Sequence, residues 1–364
     1  MLKSLEIEIG RVTIGDNAPV VVIPEAGDNH RGSLEMAKEL AHAAKEAGAP
    51  MIKFQLHLPD EEMDRLGMAL TSSSMFNQWG DLYGFISKNL LSIEGHSELI
   101  RYCRKIGIQY LCTPFSARAA EILKEIGGNA AYKIGSGETE DLPMIETVAS
   151  LGRPMLISTG MSTLEEVDLT ADAVRQSGVP FSLLHCISAY PPKSASELHL
   201  GVITMLQRRY GVIVGFSDHT PPEGLTGADG KNIPESSIVW GAIGAGARYI
   251  EKHFTLDRRA PDADSKFSHD PKSLRNLIAI AADADKAFNQ NREVYDHERS
   301  VWVWAKRSLF AACDISQGAA IDRVNITSKR PGIGIRSKDF RRLIGKIAKR
   351  TIKKGEMLRW EDLY

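Results

Sequence analysis

At 364 residues the chain is long for one domain and short for three, and a barrel of about 250 residues with a small second domain would fit. Hydrophobic residues make up 43% and charged residues 25%, the values of a globular protein with a real core. A formal net charge of −1 excludes a global field that would draw the chain to nucleic acid or to a membrane surface. The N-terminus, MLKSLEIEIGRVTIG, alternates apolar and polar residues and carries early acids, unlike a signal or transit peptide. The first apolar run is VVVIPEA at 20–26. Ser33 then opens a helix with Leu34, Ala37, Leu40, Ala41 and Ala44 on one face and Gly48 as its stop. Further apolar runs follow at 51–55, 109–115, 131–135, 154–159, 181–186, 212–217 and 249–254. Helical patterns separate them near 92–105, 116–126, 141–150, 164–177, 197–208 and 236–245, and a last one spans 272–289.

Eight continuous apolar strands alternating with amphipathic helices predict a (β/α)8 TIM barrel. An open doubly wound sheet is the rival, but polar residues end nearly every strand rather than one crevice. Two intervals break the rhythm. Residues 57–90 are rich in Met, Ser, Trp and Tyr, and their 63–87 portion reads as packing. Residues 221–235 read as a mobile surface loop. The barrel is expected over 1–289, a polar linker over 290–304, and a small β-rich domain over 305–364. In that last domain DISQGAAI and TIKKGEML resemble each other, as in a pseudo-symmetric fold. The four cysteines, Cys103, Cys112, Cys186 and Cys313, form no CxxC pair, which fits a reducing cytoplasm. No apolar run is long enough to span a bilayer.

The strand ends carry the chemistry. Lys53 and Lys133, with Thr113, Ser136, Ser158 and Ser217, could cradle a phosphate or carboxylate; the alternative pairs these lysines with barrel carboxylates such as Glu25 or Glu138. His219 and His253 end consecutive strands and could share a divalent ion, or could simply be hydrogen-bonded in place. His185 reads as a core histidine, while His30, His57 and His269 are undecided.

These residues lie in motifs that resemble the sialic acid synthases and their relatives that make legionaminic and pseudaminic acids. The motifs are PEAGDNHRG (24–32), IKFQ (52–55), CTPFS (112–116), YKIGSGE (132–138), ISTGMSTLEE (157–166), HCISAYP (185–191), GFSDHT (215–220) and EKHFTLD (251–257). The C-terminal segment resembles the family's antifreeze-like (SAF) domain, through KRPGIGI (329–335) and GKIAKRTIKKGE (345–356). The resemblance implies a synthase that condenses phosphoenolpyruvate with an N-acetylated amino sugar, N-acetylmannosamine or a 2,4-diacetamido-hexose, and releases phosphate. It implies that Lys53, Thr113, Lys133, Ser136, Ser158, Ser188 and Ser217 hold the donor. Glu25, Gln55, Tyr190 and Asp264 would line the acceptor site, with Asp262 a rival for Asp264. Glu25 and Glu138 would transfer protons and position water. His219 and His253 would bind the metal, with Mn²⁺ expected and Mg²⁺ or Co²⁺ as alternatives. Arg330 would reach the acceptor's N-acyl group in a domain-swapped homodimer. Two other functions fit less of the sequence. One is a phosphoenolpyruvate-condensing synthase acting on a phosphorylated sugar; the other is a non-catalytic sugar-binding barrel. The stretch Asp264-Ser265-Lys266-Phe267-Ser268 leans toward the pseudaminic type.

Overall fold

The computed structural model describes residues 5–70, 81–260, 264–288 and 293–364. The chain divides into two compact units, Met1–Asn289 and Gln290–Tyr364. The first opens with an antiparallel hairpin, β1 (Glu6–Ile9) and β2 (Val12–Gly15). Then come β3 (Val21–Glu25), β4 (Met51–Leu56), β5 (Gln109–Pro114), β6 (Tyr132–Ile134), β7 (Met155–Ser158), β8 (Phe181–Cys186) and β9 (Val214–Asp218). After a short hairpin, β10 (Leu225–Thr226) and β11 (Asn232–Ile233), the last strand is β12 (Tyr249–His253). The strands β3 to β9 and β12 form one parallel sheet in the order β5-β4-β3-β12-β9-β8-β7-β6, and its two end strands come together. This is the eight-stranded parallel barrel that the alternating runs predict. Local signals hold the helices in place. Ser33 Oγ accepts the Met36 N–H at 3.3 Å to cap Leu34–Ala47, and Gly48 ends that helix at a φ of 100°.

Strand periodicity sorts the side chains. Val22, Ile52, Phe54, Ile134, Ile157 and Ile250 pack in one cluster with the apolar faces of the surrounding helices. Their neighbours Ile23, Met51, Leu111, Ala131, Leu156, Leu184 and Tyr249 form a second cluster inside the barrel. Ile7, Ile9, Val12 and Ile14 of the β1–β2 hairpin join that second cluster, so the hairpin plugs the N-terminal mouth. Each such buried aliphatic side chain contributes about 1.5–3 kcal/mol. Two residues further along the same inward rows stand Glu25, Lys53, Thr113, Lys133, Ser158, Cys186 and Glu251. The barrel interior thus changes from apolar to charged along its axis.

Residues 221–235 differ from a mobile loop: they hold the β10–β11 hairpin, Leu225 is buried, and Glu235 begins the helix Glu235–Gly244. An exposed polar stretch can still fold when one apolar residue finds the core. The described part of 290–304 is not featureless either, because it carries a 3-10 turn at Asp296–Glu298 and most of the helix Arg299–Ala305.

In the C-terminal unit β13 (Ser308–Ala311) pairs antiparallel with β14 (Ile326–Lys329). The two similar peptides meet at matching positions. Ile315 and Ile352 exchange N–H···O bonds of 2.8 Å each way. Gly318 N–H donates to Ala348 O at 2.8 Å, and Gly355 N–H donates to Ala311 O at 2.9 Å. This is a local two-fold relation built around a core of Leu309, Ile315, Ile321, Leu343, Ile352 and Leu358.

Candidate active site

A cavity of about 450 Å³ opens at the charged end of the barrel. It is lined by Glu25, Lys53, Gln55, Thr113, Lys133, Ser136, Glu138, Ser158, Tyr190, Ser217, His219, His253 and Asp264. Of the residues to which the resemblance gives a substrate, proton-transfer or metal role, only Ser188, Arg330 and Asp262 are missing from this set. Ser188 is half-buried beside it, its Oγ 3.8 Å from the Sγ of the lining Cys186. Arg330 belongs to the C-terminal unit, where its guanidinium lies 5.8 Å from the Trp304 ring centre. Asp262 falls outside the described residues. A larger cavity, of about 750 Å³, is lined by Gly10, Arg11, Arg104, Gln109 and Arg153 and contains none of these residues, so size does not locate the chemistry.

The two lysines are neutralised differently. Lys53 Nζ ion-pairs with Glu25 Oε2, lies 3.8 Å from Glu251 Oε2, and donates to Thr113 Oγ1 at 3.0 Å. The pairing of a lysine with Glu25 is therefore realised for Lys53. Burial favours the neutral amine, but Glu25 and Glu251 outweigh it and raise its pKa. Lys133 Nζ donates to Ser158 Oγ at 2.7 Å and to Ile134 O at 2.8 Å. Its one carboxylate within 4 Å among the described residues is Glu251, at 3.9 Å. Burial therefore prevails and lowers its pKa. An incoming anion would supply the charge that Lys133 lacks.

Beside Lys133, the hydroxyls of Ser136 and Ser188 converge on Gly160. A Cβ there would come within 2.4 Å of Ser188 Oγ and 2.7 Å of Ser136 Oγ. The missing side chain leaves a small polar recess in which Ser136 Oγ accepts the Gly160 N–H at 3.2 Å. Glu138 is largely buried, which raises its carboxyl pKa, and its Oε2 has no hydrogen-bond partner among the described residues.

On the acceptor side, Glu25 Oε1 accepts from Gly27 N–H and from Gln55 Nε2, both at 2.9 Å. His219 and His253 have ring centres 5.3 Å apart, and the Tyr190 ring lies 4.3 Å from that of His219. Tyr190 remains 46% exposed. His219 Nδ1 faces the Ile187 carbonyl at 2.8 Å, so that nitrogen carries the proton and Nε2 holds the lone pair. Burial, reinforced by His253, lowers the His219 pKa to about 3. His253 is shifted upward instead: burial opposes its charge, but Asp264, whose Oδ2 lies 3.1 Å from Nδ1, outweighs burial. Among the described residues no three His, Cys, Asp or Glu side chains cluster to hold a metal ion. The pair instead fits an ion with two imidazole ligands, the rest of its shell coming from substrate or water oxygen.

Several groups had no role assigned to them from the sequence. Glu251 accepts from Ser217 Oγ at 3.0 Å and stands between both lysines. Its pKa is held low because Lys133 and Lys53 outweigh burial. Asp28 lines the cavity, and burial raises its pKa to about 7. Behind the wall, fully buried Lys252 Nζ lies 3.0 Å from Asp218 Oδ2, 2.6 Å from Glu235 Oε1 and 2.5 Å from Thr220 O. His269 Nε2 lies 2.7 Å from the same Glu235 oxygen. These contacts fix the turn that carries His219. The only advance signal was a lysine at an outward position of a buried strand, where an unpaired charge would be prohibitive. His185 is a core histidine, as expected, its Nε2 donating to Leu198 O at 2.7 Å.

Known proteins resemble this chain over nearly its whole length. Residues 40–293 match the NeuB family and residues 306–363 match the SAF domain. The chain is 32% identical to the N,N'-diacetyllegionaminic acid synthase of Legionella pneumophila, over 96% of each chain. It is 31% identical to a pseudaminic acid synthase of Campylobacter jejuni, over 94% of this chain and 96% of the other. The crystal structure of an N-acetylneuraminic acid (sialic acid) synthetase from Leptospira borgpetersenii, in complex with citrate, superposes with a TM-score of 0.68 at 28% identity. That match covers 82% of this chain and 95% of the other. The chain belongs to the NeuB family of sialic-acid-type synthases and carries a SAF domain at its C-terminus.

Proposed function

We propose that the chain joins phosphoenolpyruvate to the aldehyde of an N-acetylated amino sugar, N-acetylmannosamine or a 2,4-diacetamido-hexose, and releases inorganic phosphate. The observation that carries this reading is buried Lys133, whose one carboxylate within 4 Å among the described residues is Glu251 at 3.9 Å, in the same cavity as the His219–His253 pair. Lys133, Ser158, Ser136, Ser188 and Thr113 would hold the donor's phosphate and carboxylate by charge-assisted hydrogen bonds, with Lys53 and Ser217 completing the ring. Glu25, Gln55, Tyr190 and Asp264 would orient the acceptor.

In the reaction, C3 of phosphoenolpyruvate forms a bond to the aldehyde carbon, and the aldehyde oxygen takes up a proton. Water then adds at C2, and the C2–O bond to phosphate breaks. Glu138 Oε2, buried and without a hydrogen-bond partner among the described residues, would give a proton. Glu25, ion-paired with Lys53, would accept one from the attacking water. A divalent ion held by His219 and His253, with Mn²⁺ expected, would supply Lewis-acid polarisation of the acceptor carbonyl. Homodimer formation and a cytoplasmic location belong to the same proposal; light scattering on the purified chain tests the first.

The reading is tested by measuring phosphate released from phosphoenolpyruvate with Mn²⁺ across these acceptors and across phosphorylated pentoses. Release that requires an unphosphorylated acetamido sugar supports it. Release with a phosphorylated sugar alone would replace it.

A further inference from the structure

Four side chains at one edge of the cavity form a line, and the reaction scheme leaves two of them, Glu62 and His57, unused. Glu62 Oε2 lies 2.8 Å from His57 Nδ1, and His57 Nε2 lies 3.1 Å from Gln55 Oε1. Gln55 Nε2 in turn lies 2.9 Å from Glu25 Oε1. The side chains of His57 and Glu62 are only 8% and 7% exposed. The imidazole lies flat on Phe115, with ring centres 4.0 Å apart and 16° between planes.

The direction of every hydrogen bond follows from the far end of the line. Glu25 Oε2 is ion-paired with Lys53, so this carboxylate is ionised and can only accept. Gln55 must therefore turn its NH2 toward Glu25 and its carbonyl toward His57. That carbonyl can only accept, so His57 Nε2 carries a proton. At the other end, Glu62 Oε1 accepts the Leu58 N–H and Oε2 faces His57 Nδ1. A carboxylate at Nδ1 and an amide carbonyl at Nε2 thus flank one imidazole. Glu62 is the only carboxylate with an oxygen within 4 Å of a His57 ring nitrogen among the described residues; Asp28 and Glu138 attract the ring, and His30 and His96 repel it, from further away.

We propose that His57 is a positioning residue: its Nε2–H, aimed by Glu62 from the helix after β4, locks the Gln55 amide so that its NH2 holds Glu25 in place. A neutral ring with a bare Nε2 would invite the amide to flip. The Gln55 carbonyl would then confront the Glu25 carboxylate, and Glu25 would turn. This inference rests on the reading of Glu25 and Gln55 as acceptor-side groups.

Two substitutions separate donation from packing. His57→Phe keeps a flat ring against Phe115 but has no N–H; His57→Gln keeps an N–H at a similar reach but loses the stacked ring. With the full chain loaded with Mn²⁺, His57→Phe is expected to lower kcat about 10- to 100-fold and to leave the KM for phosphoenolpyruvate unchanged. His57→Gln is expected to recover most of that loss. The opposite ranking, with Phe active and Gln inactive, would show that the ring only fills space and would overturn the proposal. Nitrogen-15 NMR of histidine-labelled protein gives a readout that needs no turnover. The signal lost in His57→Gln should report a protonated Nε2, and a bare Nε2 would overturn the proposal directly. A protonated Nε2 in a chain that makes no product would count against the synthase reading alone.

Discussion

Lys53 and Lys133 occupy equivalent places on β4 and β6, yet their removal should have different consequences. Lys133→Ala leaves Glu251 still near Lys53, so the barrel should stay folded while kcat/KM for phosphoenolpyruvate falls about a hundredfold or more. Lys53→Ala takes from buried Glu25 its ion-pair partner, while Glu251 keeps Lys133, and should also cost about 3–5 kcal/mol of stability. Denaturant titration beside steady-state kinetics separates the two. Gly160→Ala should raise the KM for phosphoenolpyruvate, because the new methyl enters the space between Ser136 and Ser188; an unchanged KM would show that the recess holds no substrate. At this scale the sequence showed which residues could matter but not how they pair. Lys53, Thr113 and Ser158 were legible because a lysine or hydroxyl at the end of an apolar strand needs a reason. The place of Glu251 between both lysines was not legible, since it depends on β12 closing the barrel against β3.

Elements position these groups, and two of them make the case. Lys252 on β12 ties Asp218, Thr220 and Glu235 together behind the His219 turn. Lys252→Met should destabilise the fold by about 3–5 kcal/mol, because two buried carboxylates lose their counter-charge. Adding Asp218→Asn should return part of that loss. The second case is the helix Ile93–Ile106, whose His96 is buried with Nδ1 2.9 Å from Tyr110 Oη. Burial, with smaller contributions from His30 and His57, lowers its pKa from 6.5 to about 3. The folded state thus refuses a proton that the unfolded chain accepts. The stabilising contribution is complete above about pH 6.5 and falls away as the pH drops toward 3. Between about pH 7.5 and pH 5 the loss should be about 2 kcal/mol. His96→Gln should flatten that part of the pH–stability curve; a slope equal to that of the parent would contradict the assignment. Periodicity and capping residues revealed the eight strands and their helices, because those signals are local. The β1–β2 plug stayed hidden because its alternating pattern gains a meaning only when the barrel presents an open apolar end.

For the whole molecule, ordered motifs along nearly the full chain carried the family assignment, while no single motif would have done so. Composition could not show the local two-fold relation of the C-terminal unit, but the likeness of DISQGAAI and TIKKGEML did. If that unit serves the acceptor, Arg330→Ala should raise the acceptor KM about tenfold or more and leave the KM for phosphoenolpyruvate unchanged. Equal acceptor KM values would remove Arg330 from the reaction. The central claim is that one cavity joins two substrates, and the mass of the product tests it most directly. Phosphoenolpyruvate and Mn²⁺ would be supplied with N-acetylmannosamine or a 2,4-diacetamido-hexose, and the products read by mass spectrometry. The account requires a nine-carbon acid whose mass equals the sugar plus a pyruvate unit, formed in step with phosphate and lost in Lys133→Ala. Pyruvate beside unchanged sugar, or no consumption of phosphoenolpyruvate by folded, metal-loaded protein, would contradict it.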